Sequence, residues 1–114
     1  KEDNMEVLFI VLNHEQHFDE VLRAFSAEGI HGGTILESQG LAATLAEHSE
    51  VGYDFFRNLL NGGRPYNKTI FLILSEEDVK KAKECVRKVV GNLEKENVGI
   101  MFSIDVKSFE GLTK

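Results

Sequence analysis

Two changes of hydrophobic period constrain this chain more than any other feature. A strand-length apolar run gives way to a helical stripe and then to strand again, and the same succession occurs a second time. "MEVLFIVLN" (residues 5–13) is rich in β-branched and large apolar residues, which predicts a buried strand. Phe18, Val21, Leu22 and Phe25 then recur at i, i+3, i+4 and i+7, one face of a helix. Asn13 with Gln16 could box the start of that helix, and residues 17–19 are an alternative start. Gly29 stands where a helix end takes a left-handed residue, and residues 34–39 follow as a strand.

"NKTIFLILS" (residues 67–75) is apolar on both faces and should lie centrally in a sheet. Ser75 and Asp78 make an S-x-x-D start for a helix whose stripe is Val79, Ala82, Val86, Val89, Val90 and Leu93. Glu76, Glu77 and Asp78 in its first turn, with Arg87 and Lys88 further on, match the helix dipole, and Gly91 could either stop or loosen it. Val98, Ile100, Phe102, Ile104 and Val106 alternate with Gly99, Met101, Ser103, Asp105 and Lys107 in a last strand. The predicted fold is an α+β, ferredoxin-like βαββαβ sandwich: a four-stranded antiparallel sheet with two helices on one face. Strands apolar on both sides leave the other sheet face to be covered, most economically by a homo-oligomer.

A chain of 114 residues suits one domain, with residues 1–4 expected to be a leader or a remnant of cloning ahead of Met5. One cysteine excludes an internal disulfide and fits a cytoplasmic setting. A formal charge of −6 argues against nucleic acid as a partner, and no run approaches the ~20 apolar residues that span a bilayer. His14, His17, His31 and His48 show no CxxC or HExxH context and are expected to be solvated near element ends. Cys85 is expected to be a core or boundary residue. No serine has a G-x-S-x-G setting, and no Walker or Rossmann glycine motif occurs. "NHEQH" after the first strand lacks the arginine of an acylphosphatase anion cradle, and Phe71 and Phe102 are expected in a core or interface rather than stacked on RNA bases. A catalyst or metal binder built here would draw on His31, Glu37 and His48; the expected function is not enzymatic.

The connector at residues 43–66 is long enough to be functional. Val51, Phe55, Phe56, Leu59 and Leu60 fall on one helical face, a register that a disordered tether has no reason to keep. A short helix is expected there, partly buried through Phe55 or Phe56, with flexible ends at residues 42–50 and 61–64.

"GIHGGTILESQG" (residues 29–40) resembles the "GIxGxTVxEVxG" motif of the PII family of nitrogen-regulatory signalling proteins, and "VGIMFSIDV" resembles that family's final strand "GKIFVFDV". The likeness runs from about Val7 to Val106. It implies a cytoplasmic homotrimer that binds a small-molecule effector in clefts between subunits. It also implies that the connector, as a T-loop, grips a protein target such as a membrane transporter or an enzyme. The resemblance places ligand contacts at Gly33, Thr34, Glu37, Gly40, Leu41 and Gly99, and target contacts at Tyr53, Phe55, Phe56, Arg57, Arg64 and Tyr66. The family's "FGRQ" after Gly40 is replaced by Leu41, Ala42, Ala43 and Thr44, so the glutamine that helps hold magnesium and 2-oxoglutarate is missing. The basic phosphate loop reads "GNLEKENVG", and two arginines beyond the last strand fall at Gly111 and Thr113. An adenine nucleotide would therefore find its phosphate-binding arginines absent, with Lys68, Lys95 and Lys107 left to serve. CutA-like trimers and ACT-type regulatory domains, which bind metals or metabolites, are alternatives with the same topology.

Overall fold

The structure, a computed structural model, describes residues 4–47, 66–95 and 97–112, with the backbone alone for Ala46 and Glu47. Strand β1 is Met5–Leu12, helix α1 Glu15–Ala27, strand β2 Thr34–Glu37, helix α2 Leu41–Glu47, strand β3 Lys68–Ser75, helix α3 Glu76–Val90 and strand β4 Gly99–Asp105. The sheet order is β2-β3-β1-β4, and each neighbouring pair is antiparallel. This is the ferredoxin-like arrangement that the two period changes predict, with the long apolar strands β1 and β3 in the middle.

The pleat assigns each side chain a face. Leu8, Ile10 and Leu12 of β1 lie level with Leu72, Ile70 and Lys68 of β3 and are fully buried beneath the helices. Phe18, Val21 and Phe25 of α1, with Val79, Ala82 and Val86 of α3, close the same core. Each large side chain fully buried there stabilises by about 1.5–3 kcal/mol. Cys85 belongs to this core as expected.

The opposite face carries the other half of the pleat. Val7, Phe9 and Val11 lie level with Ile73, Phe71 and Thr69 on one side and with Ile104, Phe102 and Ile100 on the other. Phe9 touches both neighbouring rings, with centroids 5.7 Å from Phe71 and 5.0 Å from Phe102. Phe102 remains 44% exposed, and Ile100 and Ile104 remain more than half exposed. The apolar half of the β4 alternation therefore points away from the helices, while Met101 packs toward them.

Element ends show what the sequence pattern could and could not locate. Ser75 Oγ accepts the Asp78 amide at 3.2 Å, so the S-x-x-D start of α3 forms as expected. Gly91 ends that helix, and Leu93 of the expected stripe falls outside it. At the end of α1, Ile30 N donates to Phe25 O and Gly29 N to Ser26 O, a Schellman closure through Gly29. The proposed box at the start of α1 does not form. His14 is the cap residue, Gln16 donates instead to Glu20, and the Asn13 carboxamide oxygen accepts from Asn67 Nδ2 at 2.9 Å. Strand β2 ends at Glu37 rather than residue 39. The segment after Gly40, expected to be a flexible end, begins with α2: Thr44 N and Oγ1 both donate to Gly40 O, which closes its first turn.

Candidate functional site

The connector leaves the sheet at the end of β2 and returns at the start of β3, and side chains fasten these two legs together. Ser38 N donates to Asn67 O at 3.3 Å, and the Ser38 and Thr69 hydroxyls lie 2.8 Å apart. Glu37 pairs with Lys68, level with it across the sheet, at 3.4 Å. The Lys68 ammonium also lies 4.9 Å from the centre of the Phe18 ring and 5.7 Å from that of Tyr66. Phe18 and Tyr66 themselves meet edge to face at 6.4 Å. A cation is thus held over two aromatic faces and answered by one carboxylate.

The electrostatics follow from these contacts. Tyr66 raises the Lys68 ammonium above its ordinary value, helped by Glu37 and opposed by burial. Burial pushes the Tyr66 hydroxyl up, while Lys68 pulls it down. Next to this cluster in sequence, His14 and His17 form a T-shaped ring pair with centroids 5.3 Å apart. Burial, then His14, lowers the His17 imidazole against the opposing effect of Glu20, and His17 Nδ1 is buried without a hydrogen-bond partner among the described residues. These two histidines are half-buried rather than solvated as expected. His31 is exposed.

The six ligand candidates do not converge within one chain. Gly33, Thr34, Glu37, Gly40 and Leu41 lie along β2 and the start of α2, whereas Gly99 opens β4 at the far edge of the sheet. Three strand spacings separate those edges, about 14 Å. The glycine at position 99 has a local cause: φ is 155°, and a Cβ would collide with the Val11 carbonyl oxygen. Gly33, at φ 131°, lets β2 approach β3; a Cβ there would sit 3.2 Å from the Leu72 side chain and 3.3 Å from Phe71 O. Leu41 is 77% exposed on α2, with Leu45 one turn on at 61%.

Of the target-contact candidates, Tyr53, Phe55, Phe56, Arg57 and Arg64 lie outside the described residues, as do His48 and the expected helix face of Val51, Leu59 and Leu60. Tyr66 is described, and it is half-buried against Phe18 as an anchor of the returning leg. Sequence reasoning named Lys68 only as a reserve cation and missed Phe18, Ser38 and Asn67 as parts of this stem. Phe18 belongs to the core as its spacing predicts; nothing in that spacing signals that its ring face also meets a lysine.

Among the described residues, no group of three or more His, Cys, Asp or Glu side chains is placed to hold a metal. A groove of about 340 Å³ on the helical side is lined by Glu28, Lys80, Lys81, Glu84, Cys85 and Lys88. Burial pushes the Cys85 thiol up, and Sγ donates to Ala24 O at 3.8 Å, so it is a poor nucleophile. Among the described residues, no helix is long and apolar enough to cross a membrane.

No family model matches the chain, and no curated protein matches it in sequence. The fold does have relatives among solved structures. One is the PII protein of Arabidopsis thaliana bound to citrate, similar over 91% of this chain and 78% of that one, with a TM-score of 0.61 and 11% sequence identity. What the two share is the fold: this chain has a PII-like, ferredoxin-like architecture.

Proposed function

We propose that the chain is a non-enzymatic, PII-like regulatory protein. Three copies assemble through the open faces of their sheets, a small-molecule effector sits in the cleft between neighbours, and the connector at residues 43–66 grips a protein target. The observation that carries this reading is the apolar sheet face formed by Phe9, Phe71, Phe102, Ile100 and Ile104, on which no helix among the described residues packs. A contiguous patch of that kind is unfavourable in water and marks an association surface. Assembly of several copies also supports the effector cleft, because it can bring the Gly99 edge of one copy toward the β2 edge of the next. The fastened legs of the connector give effector binding a route to the target surface.

The fold relative is bound to citrate, which makes small organic anions the first effectors to test. The acidic loop at Glu94 and the absent arginines weigh against a nucleotide triphosphate, whose phosphates need cations. Thermal unfolding in the presence of citrate, 2-oxoglutarate, ATP and ADP tests the effector. A ligand at 100 times its dissociation constant adds about 2.7 kcal/mol of stability. A clear rise with a small carboxylate and none with ATP is expected; a rise with ATP alone would overturn the effector assignment.

A further inference from the structure

Among the described residues, His17 Nδ1 is the one buried side-chain polar atom without a hydrogen-bond partner. An orphan of that kind in a folded protein calls for a water or an ion beside it. The His14 ring stands next to the His17 ring, edge to face, with ring centres 5.3 Å apart. Two imidazoles on one tetrahedral ion, at the usual metal–nitrogen length of about 2.0–2.1 Å, hold their ring centres about 5 Å apart. The spacing of a chelate is therefore already present. Rings at 82° to one another do not aim both nitrogens at one point. Rotation about Cβ–Cγ corrects this: it swings the nitrogens, leaves each ring centre almost in place, and is a soft torsion. The His14 side chain is not committed to the helix end, because His14 precedes α1 with extended backbone and makes no side-chain capping bond.

We propose that His14 and His17 form a clip for one late first-row divalent ion, Cu2+ or Zn2+, at the start of α1. Imidazole suits these ions, whereas Mg2+ and Ca2+ seek oxygen ligands. Each ring ligates through one nitrogen and keeps the other for a hydrogen bond. No third His, Cys, Asp or Glu among the described residues completes the group, so water fills the remaining positions and the ion stays exchangeable. Glu20 lies three positions beyond His17 on the same helix, with Gln16 bonded to one of its carboxylate oxygens. It adds negative charge on the same face. The ion ties the residue ahead of α1 to the first turn of the helix. That joint already touches the returning leg of the connector: Asn13 accepts from Asn67, and Phe18 meets Tyr66. The clip lies within one chain and needs neither an effector nor a second copy, so it stands or falls apart from the regulatory reading.

The test is NMR of the whole native chain with Cu2+ added well below one equivalent, in a buffer that does not bind metals. Paramagnetic broadening centred on the His14 and His17 amides is expected; broadening centred on His31 or elsewhere would overturn the proposal. Calorimetry with Zn2+ should give one ion per chain, and Mg2+ should give no binding. His14→Gln and His17→Gln should each weaken Zn2+ by at least about ten-fold, the scale on which even the supporting contacts of a ligand matter. His31→Gln should leave the affinity unchanged. No saturable Zn2+ binding, equal binding of Mg2+, unchanged affinity in either ligand variant, or a loss in His31→Gln would each overturn it. The broadening map is read on the native chain, so it decides the matter even where a variant fails to fold.

Discussion

Gly99→Ala is the substitution whose cost the structure defines most tightly. The added Cβ would meet the Val11 carbonyl oxygen, a backbone atom in the central strand, so no side chain can rotate away to relieve it. Two responses remain. Residue 99 can keep its φ of 155°, a conformation that costs a non-glycine residue on the order of 1–3 kcal/mol, with the contact strained as well. Otherwise β4 can lift from β1 at this end, which gives up the Asn13 N to Val98 O bond at about 1 kcal/mol and loosens Val98, which is buried. Either way the loss is about 2–4 kcal/mol, measured as a shift in the urea midpoint at constant m. A loss below about 0.5 kcal/mol would refute the steric account and return Gly99 to consideration as a ligand contact alone.

Ser75→Ala removes the acceptor of the Asp78 amide and should cost about 1 kcal/mol in the same assay; no loss would mean that water caps α3 equally well. His17 makes stability depend on pH. Its folded pKa lies below the ordinary value of about 6.5 because of burial and His14, so the unfolded chain takes up the proton first. Its contribution is present above about pH 6.5 and is lost as pH falls from there through the folded value. His17→Gln should flatten the melting temperature over that window, and an unchanged slope would contradict the assignment.

Much of the fold was legible because period and length agreed in each long element. "MEVLFIVLN" and "NKTIFLILS" are apolar on both faces, and they occupy the two central positions of the sheet. The β4 alternation located the strand but could not say which half faced the helices. A pattern of apolar residues facing an uncovered surface is identical in sequence to one facing a core. The box at Asn13 and Gln16 failed for a non-local reason, since Asn13 is occupied by Asn67, 54 positions away. The helix after Gly40 is illegible in the sequence because seven residues are too short a window to show a helical period. The stem cluster was illegible for the same reason as the Asn13 contact: Lys68, Phe18 and Glu37 come from three elements that only the sheet register brings together.

The central claim is that the open sheet face is buried between copies, and sedimentation equilibrium of the native chain beside Phe102→Asp tests it most directly. Phe102 stacks on Phe9 on that face, and a carboxylate left there without a partner on assembly would cost several kcal/mol. The fold within each copy should survive, because Phe102 lies on the opposite side of the sheet from the buried core. At micromolar concentration the account predicts three times the chain mass for the native protein, with the variant shifted to a folded species of one chain mass. A native protein that sediments as a single chain would contradict it.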